Sequence, residues 1–157
     1  MSGRDVRDRT SEAGEPNPLP HFATDFILGC AKALIAAGLV PEDVTPHRVV
    51  YRRGQLRLAA AWDPARRALD VRLGHRRGAG GEDEDHAPLG WRYNLLLEAA
   101  GIPDRLPEAF GEGAGVQDGL TDAVRLVART LPDLVDRYRK LEPRTRALAR
   151  RPPAHAG

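Results

Sequence analysis

Lysine is nearly missing from this chain: Lys32 and Lys140 stand alone among 24 basic residues, so the other 22 are arginines. With 16 glycines, 13 prolines and abundant alanine beside them, this reads as the codon bias of a GC-rich genome before it reads as selection for phosphate-binding guanidiniums. Cysteine is scarcer still. Cys30 has no partner in the sequence, which excludes an intramolecular disulfide and any cysteine-rich zinc site. It lies in an apolar run with no histidine nearby, the setting of a buried, inert thiol. Aromatics make up only 5% of the chain, so the core must be built from Leu, Val, Ile and Ala.

Long apolar runs are also lacking. The stretch from Phe22 to Val40 is broken by Asp25 and Lys32 and does not read as a membrane span. The first twenty residues carry Arg4, Asp5, Arg7, Asp8, Arg9, Glu12 and Glu15 and hold no signal-peptide apolar region, so a cytoplasmic protein with no membrane partner is expected. Excess charge of one sign is missing too. The net charge is +2, and it steers little toward polyanions, because counterion release follows clustered cations and not pI.

Catalytic signatures are the last absence. Gly111, Gly113, Gly115 and Gly119 precede a helical pattern, where backbone N–H groups favour an anion. No strand is read before them, however, no Lys-Ser/Thr pair follows, and Glu112 and Asp118 would repel phosphate. His75 and His86 flank Glu82, Asp83, Glu84 and Asp85, which are chemically suitable metal ligands, but a glycine-rich loop does not preorganise them. H-E-x-x-H, G-x-S-x-G and paired Asp-x-Asp patterns do not occur. No catalytic residue, metal or cofactor is therefore assigned.

What the sequence does contain is a well-patterned α+β domain. Residues 1–19 are polar and close on Pro16, Pro18 and Pro20, the composition of a disordered arm. Phe22, Phe26, Cys30 and Leu34 then recur at i+4 with Ile27, Ala31 and Ile35 alongside, an amphipathic helix stopped by Gly38 and Pro41. A short connection through Glu42 and Asp43 leads to a strand over Arg48–Arg52. Strict alternation follows: Leu56, Leu58, Ala60 and Trp62 share one face, and Leu69, Val71 and Leu73 do the same across a turn at Asp63-Pro64. Three antiparallel strands thus form a meander with one apolar face.

Beyond a charged loop from His75 to His86, Pro88 is read as opening a helix carrying Trp91, Leu95, Leu96 and Ala99. The stripe Val116, Leu120, Val124, Val127, Leu131, Leu134, Tyr138, Leu141 marks two helices or one kinked helix, with Thr130 as a cap before Pro132. The expected architecture is two-layer α+β over residues 20–143, with an N-terminal helix, a three-stranded antiparallel meander, then two to three helices on one sheet face. Residues 144–157 read as a basic, frayed tail. The expected core comprises Phe26, Ile27, Leu34, Leu56, Leu58, Trp62, Leu69, Val71, Leu73, Leu95, Leu120, Val127 and Leu134.

The succession of apolar helix, Val50-Tyr51, Leu56-x-Leu58-x-x-x-Trp62-Asp63 and Leu69-Asp70-Val71-x-Leu73, then helices, resembles small bacterial α+β proteins of unknown function, among them some immunity proteins that neutralise polymorphic toxins. The resemblance covers roughly residues 21–142 and implies a non-catalytic, partner-binding role, with no individual residue carried over.

Two surfaces compete for that role: the arginines Arg57, Arg66, Arg67 and Arg72 of the hairpin, and the acidic run Glu82, Asp83, Glu84 and Asp85. The leading expectation is a protein partner. A second is nucleic acid on the basic sheet face, with Tyr51 stacking if it points outward. A third is a small-molecule pocket or active site lined by Trp62, Trp91 or Tyr51.

Overall fold

The structure is a computed structural model that describes residues 17–75, 90–111 and 114–150. Helix α1 (Phe22–Ala36) leads into strands β1 (Val40–Thr45), β2 (Arg48–Arg53), β3 (Leu56–Asp63) and β4 (Ala68–His75). A two-residue strand β5 (Trp91–Arg92) runs straight into α2 (Tyr93–Ala99), followed by α3 (Ala114–Asp136) and α4 (Tyr138–Ala149). The strands form one antiparallel sheet in sequential order, β1-β2-β3-β4-β5.

The α+β reading holds, with five strands where three are expected. β1 occupies the stretch read as a connection, because its pattern VPEDVT has no buried position to betray it. It pairs with β2 through a register shift between Pro41 and Asp43, the irregularity that proline and charge introduce at a sheet edge. β5 holds Trp91 in a strand and not in a helix, and so moves the helix start to Tyr93.

Alternation divides the sheet cleanly. Val49, Tyr51, Leu58, Ala60, Trp62, Leu69, Val71 and Leu73 face one way and join the core with Phe22, Phe26 and Leu34 of α1 and Leu120, Val127 and Leu134 of α3. Of the expected core, Ile27 is only partly buried against this cluster, and Leu95 lies outside it. At the sheet's end Trp62 stacks on Phe22 at 6.4 Å and meets Phe110 edge-on at 5.4 Å. Its indole N–H donates to Asn17 Oδ1 at 3.0 Å, and the same oxygen accepts from the Leu19 amide. Residues 17–19, read from the sequence as part of the arm, are therefore packed onto the domain, with Leu19 buried. Asn17→Ala is expected to cost about 1–2 kcal/mol, since it strands a buried donor; the urea midpoint measures it.

Pro132 does not divide the C-terminal helices. α3 runs through it to Asp136, and the break falls at Arg137. Thr130 is not a cap but a buried interior residue: its hydroxyl lies 2.7 Å from the Leu126 carbonyl and 2.8 Å from Tyr93 Oη. α4 also continues through Pro143 to Ala149, with Thr145 buried, so residues 144–149 are helical and not frayed. Among the described residues, no helix is long and apolar enough to cross a membrane.

Candidate functional site

The face of the sheet turned away from the helices is defined by its register. One row crosses all five strands: Asp43 (β1), Val50 (β2), Ala59 (β3), Arg72 (β4) and Arg92 (β5). The next row holds Val40, Arg52, Arg57 and Gly74, and the row on the other side Thr45, Arg48, Ala61 and Asp70. None of these residues belongs to the hydrophobic core cluster. Val50 is nevertheless only 2% exposed. On β2 it lies between Arg48 and Arg52, and across from Ala59 of β3.

Two like-charged pairs stand directly opposite each other on this face. Arg52 faces Arg57 across β2 and β3, and Arg72 faces Arg92 across β4 and β5. Such pairs are destabilising in the absence of counter-charge. Partial compensation comes from Glu42, whose Oε1 accepts from Arg57 Nε at 2.9 Å, and from Asp70, which accepts from Arg72 Nε at 3.1 Å. Arg48 lies 3.6 Å from Asp43. Among the described residues, the side chains of Arg52 and Arg92 have no ion-pair or hydrogen-bond partner. Arg57 is the most enclosed of the set, its side chain only 11% exposed, and its Nη1 is buried with no acceptor among the described residues. A guanidinium that leaves a donor unsatisfied in that position is costly unless something supplies an oxygen.

The candidates expected from sequence do not converge on one patch. Arg57 and Arg72 share this face. Arg66 and Arg67 lie in the β3–β4 turn, six residues along β3 from Arg57, or about 20 Å at strand rise. Arg66 is exposed and within 3.9 Å of Asp63. Arg67 takes φ 50° and its carbonyl accepts from the Phe110 amide at 2.8 Å, so it closes the turn. Glu82, Asp83, Glu84 and Asp85 lie outside the described residues, as does His86. Arg52 and Arg92 are the positions the sequence reading missed. Arg52 was within reach, since Val49 and Tyr51 inward require Val50 and Arg52 outward. Arg92 was not, because a two-residue strand has no period.

Tyr51, Trp62 and Trp91 do not reach this face. Tyr51 is buried, and its hydroxyl is pushed upward in pKa by that burial. Trp91 pairs with Leu73 on the core side, where the Arg146 guanidinium sits 5.3 Å from its ring centroid. The face therefore offers no aromatic platform. Among the described residues, no group of three or more His, Cys, Asp or Glu is placed to hold a metal ion.

A cleft of about 490 Å³ opens beside the arginine face, at the β4 edge. Its lining includes the consecutive residues Ala68–Arg72; since neighbours on a strand point to opposite faces, the cleft meets β4 edge-on. The far wall is α2 and the segment Arg105–Glu108. Asn94 fixes that wall with two hydrogen bonds to Leu106, donating to its carbonyl at 3.0 Å and accepting from its amide at 2.7 Å.

No protein-family model matches this chain, and no curated protein or solved structure shows a significant similarity to it.

Proposed function

We propose that this protein is a small, non-catalytic binding protein of the cytoplasm that covers an acidic surface of a protein partner with its open sheet face. The observation that carries the reading is the pair of facing arginines on each side of that face, Arg52 with Arg57 and Arg72 with Arg92. Isolated, the arrangement is repulsive; against carboxylates the exposed guanidiniums of Arg52 and Arg92 can make bidentate contacts. Covering the partner in this way is how a neutralising or regulating protein of the immunity type acts.

An acidic protein suits the face better than nucleic acid does. Glu42, Asp43 and Asp70 are interspersed with the arginines, and a continuous phosphate backbone would run against them, whereas a protein surface matches mixed signs. Single strands also need stacking rings, and both Tyr51 and Trp62 face the core.

The test compares a fluorescent glutamate-rich peptide with single-stranded DNA of equal charge, at low salt, on the wild type and on an R52E/R92E variant. Both substituted side chains are solvent-facing, so folding is expected to survive, and far-UV circular dichroism checks it. The peptide is expected to bind the wild type and to lose affinity at least about tenfold in the variant, or about 1.4 kcal/mol. Tighter binding of DNA with a steep salt slope would favour the nucleic-acid reading. Equal peptide affinity for both proteins, or none for either, would remove the proposal.

A further inference from the structure

The two edges of the sheet are treated differently by the sequence. β1 carries Pro41, a register irregularity and the acids Glu42 and Asp43, devices that discourage another strand from adding there. β4 has only Asp70 over Ala68–Val71, already paired with Arg72, with no proline and an unbroken register with β3 from Ala68 to His75. Among the described residues its outer side is paired only at Arg72 and Leu73, by β5. At Tyr93 the chain turns into α2 and abandons the strand track, which leaves four residues of β4 facing the cleft.

From this we infer that the β4 edge is a docking slot for an extended peptide segment of the acidic partner, which adds as a sixth strand beside Ala68–Val71 in line with β5. The slot is preformed. Asn94 holds the far wall by its paired hydrogen bonds to Leu106, and the Phe110 amide closes the turn end on the Arg67 carbonyl. Four residues of strand span about 13 Å, enough for alternate main-chain groups to hydrogen-bond to an incoming chain. Arg72 and Arg92 stand at one end and Arg66 at the other, with Arg105 on the wall, so four arginines outnumber the lining acids Asp70, Glu98 and Glu108, of which Asp70 is already engaged by Arg72. Acidic side chains on the added strand meet these guanidiniums, and Leu95 offers an apolar contact to side chains of the opposite parity.

The inference deepens the acidic-partner reading and rests on it for the charge of the occupant, though not for main-chain pairing. Three six-residue peptides separate the two claims: an alternating Val-Glu sequence, the same sequence N-methylated at alternate amides, and its Val-Gln counterpart. Binding is read by fluorescence polarisation and by backbone amide shifts. The Val-Glu peptide is expected to bind, to shift the amides of Ala68–Val71, and to lose about tenfold in affinity on N-methylation of the edge-facing amides. Equal binding of the methylated and unmethylated acidic peptides overturns the slot and leaves the arginine face standing. Binding of Val-Gln as tight as Val-Glu, with the same amide shifts, keeps the slot and overturns the acidic reading. No binding by any of the three overturns the slot. A wall-loosening variant, Asn94→Ala, is expected to weaken the Val-Glu peptide several-fold, and an unchanged affinity would overturn the preformed slot.

Discussion

Gly90→Ala is expected to destabilise the protein by about 4 kcal/mol, the largest effect of any single methyl addition in the described chain. Two independent costs combine. Gly90 has φ +110°, a conformation in which a side chain is strained by about 1–3 kcal/mol. The added Cβ would also stand 2.5 Å from the Gly74 nitrogen and the Leu73 carbonyl carbon and 2.7 Å from the Gly74 Cα. These are backbone atoms in a paired strand and cannot rotate away, so overpacking of about 1–3 kcal/mol adds. Gly74 answers from the other side, where a Cβ would meet the Gly90 Cα at 2.6 Å and Tyr138 Oη at 3.1 Å. The contact between the two glycines is what seats β5 on β4 and so brings Arg92 opposite Arg72. A melting temperature lower by roughly 10 °C is the expected readout for a domain of this size. Gly54→Ala is the control: its φ is +61° but nothing lies within 4 Å of the new methyl, so about 1 kcal/mol is expected. A Gly90→Ala protein within 1 kcal/mol of wild type would show that β5 is not held by this approach.

The same two glycines show where sequence reasoning reaches and where it stops. Alternation in Leu56–Trp62 and Leu69–Leu73 revealed both strands and their inward faces, because a half-buried strand writes its geometry at period two. The i+4 stripe of α1 and the longer stripe of α3 and α4 were equally legible. β1 was hidden because both of its faces are exposed. β5 was hidden because its existence depends on Gly74 meeting Gly90, a contact between residues that no local pattern connects. At the candidate site the sequence could name arginines but not their neighbours. Arg57 and Arg72 share a face, yet Arg66 and Arg67 are carried off by the turn, and the facing pairs with Arg52 and Arg92 exist only through register. Pro132 misled for the opposite reason, and Pro143 is likewise passed by α4. Local propensity breaks a helix at proline, but packing of Leu131, Leu134, Val135 and Leu141 into the core carries both helices through.

Stability is expected to fall steeply in alkali, beginning near pH 9, because of Cys30. The thiol is completely buried on α1, with its Sγ 3.8 Å from the Val124 carbonyl of α3, where helix crossing is close enough that a Cβ on Gly29 would strike Val124. Burial pushes the thiol from 9.0 up to about 12, since the thiolate has no water and no positive partner there. Between those values the unfolded chain has lost the proton while the folded chain still holds it. Unfolding then releases a proton, and stability declines by about 1.4 kcal/mol per pH unit, or about 4 kcal/mol by pH 12. Below about pH 9 both states hold the proton and no dependence arises from this group. Tyr93 adds to the decline above its ordinary value of 10.0, because burial raises it more than its hydrogen bond to Thr130 lowers it. Urea midpoints at pH 7, 9, 10 and 11 read the slope directly. Cys30→Ala should be less stable at pH 7, having lost a packed sulfur, but should decline less steeply than the wild type from pH 9 to 10, the remaining slope coming from the raised tyrosines Tyr51, Tyr93 and Tyr138. Identical slopes in the two proteins would mean that the thiol is not the group responsible, and rapid modification of the native thiol by a disulfide reagent at pH 8 would contradict its burial outright.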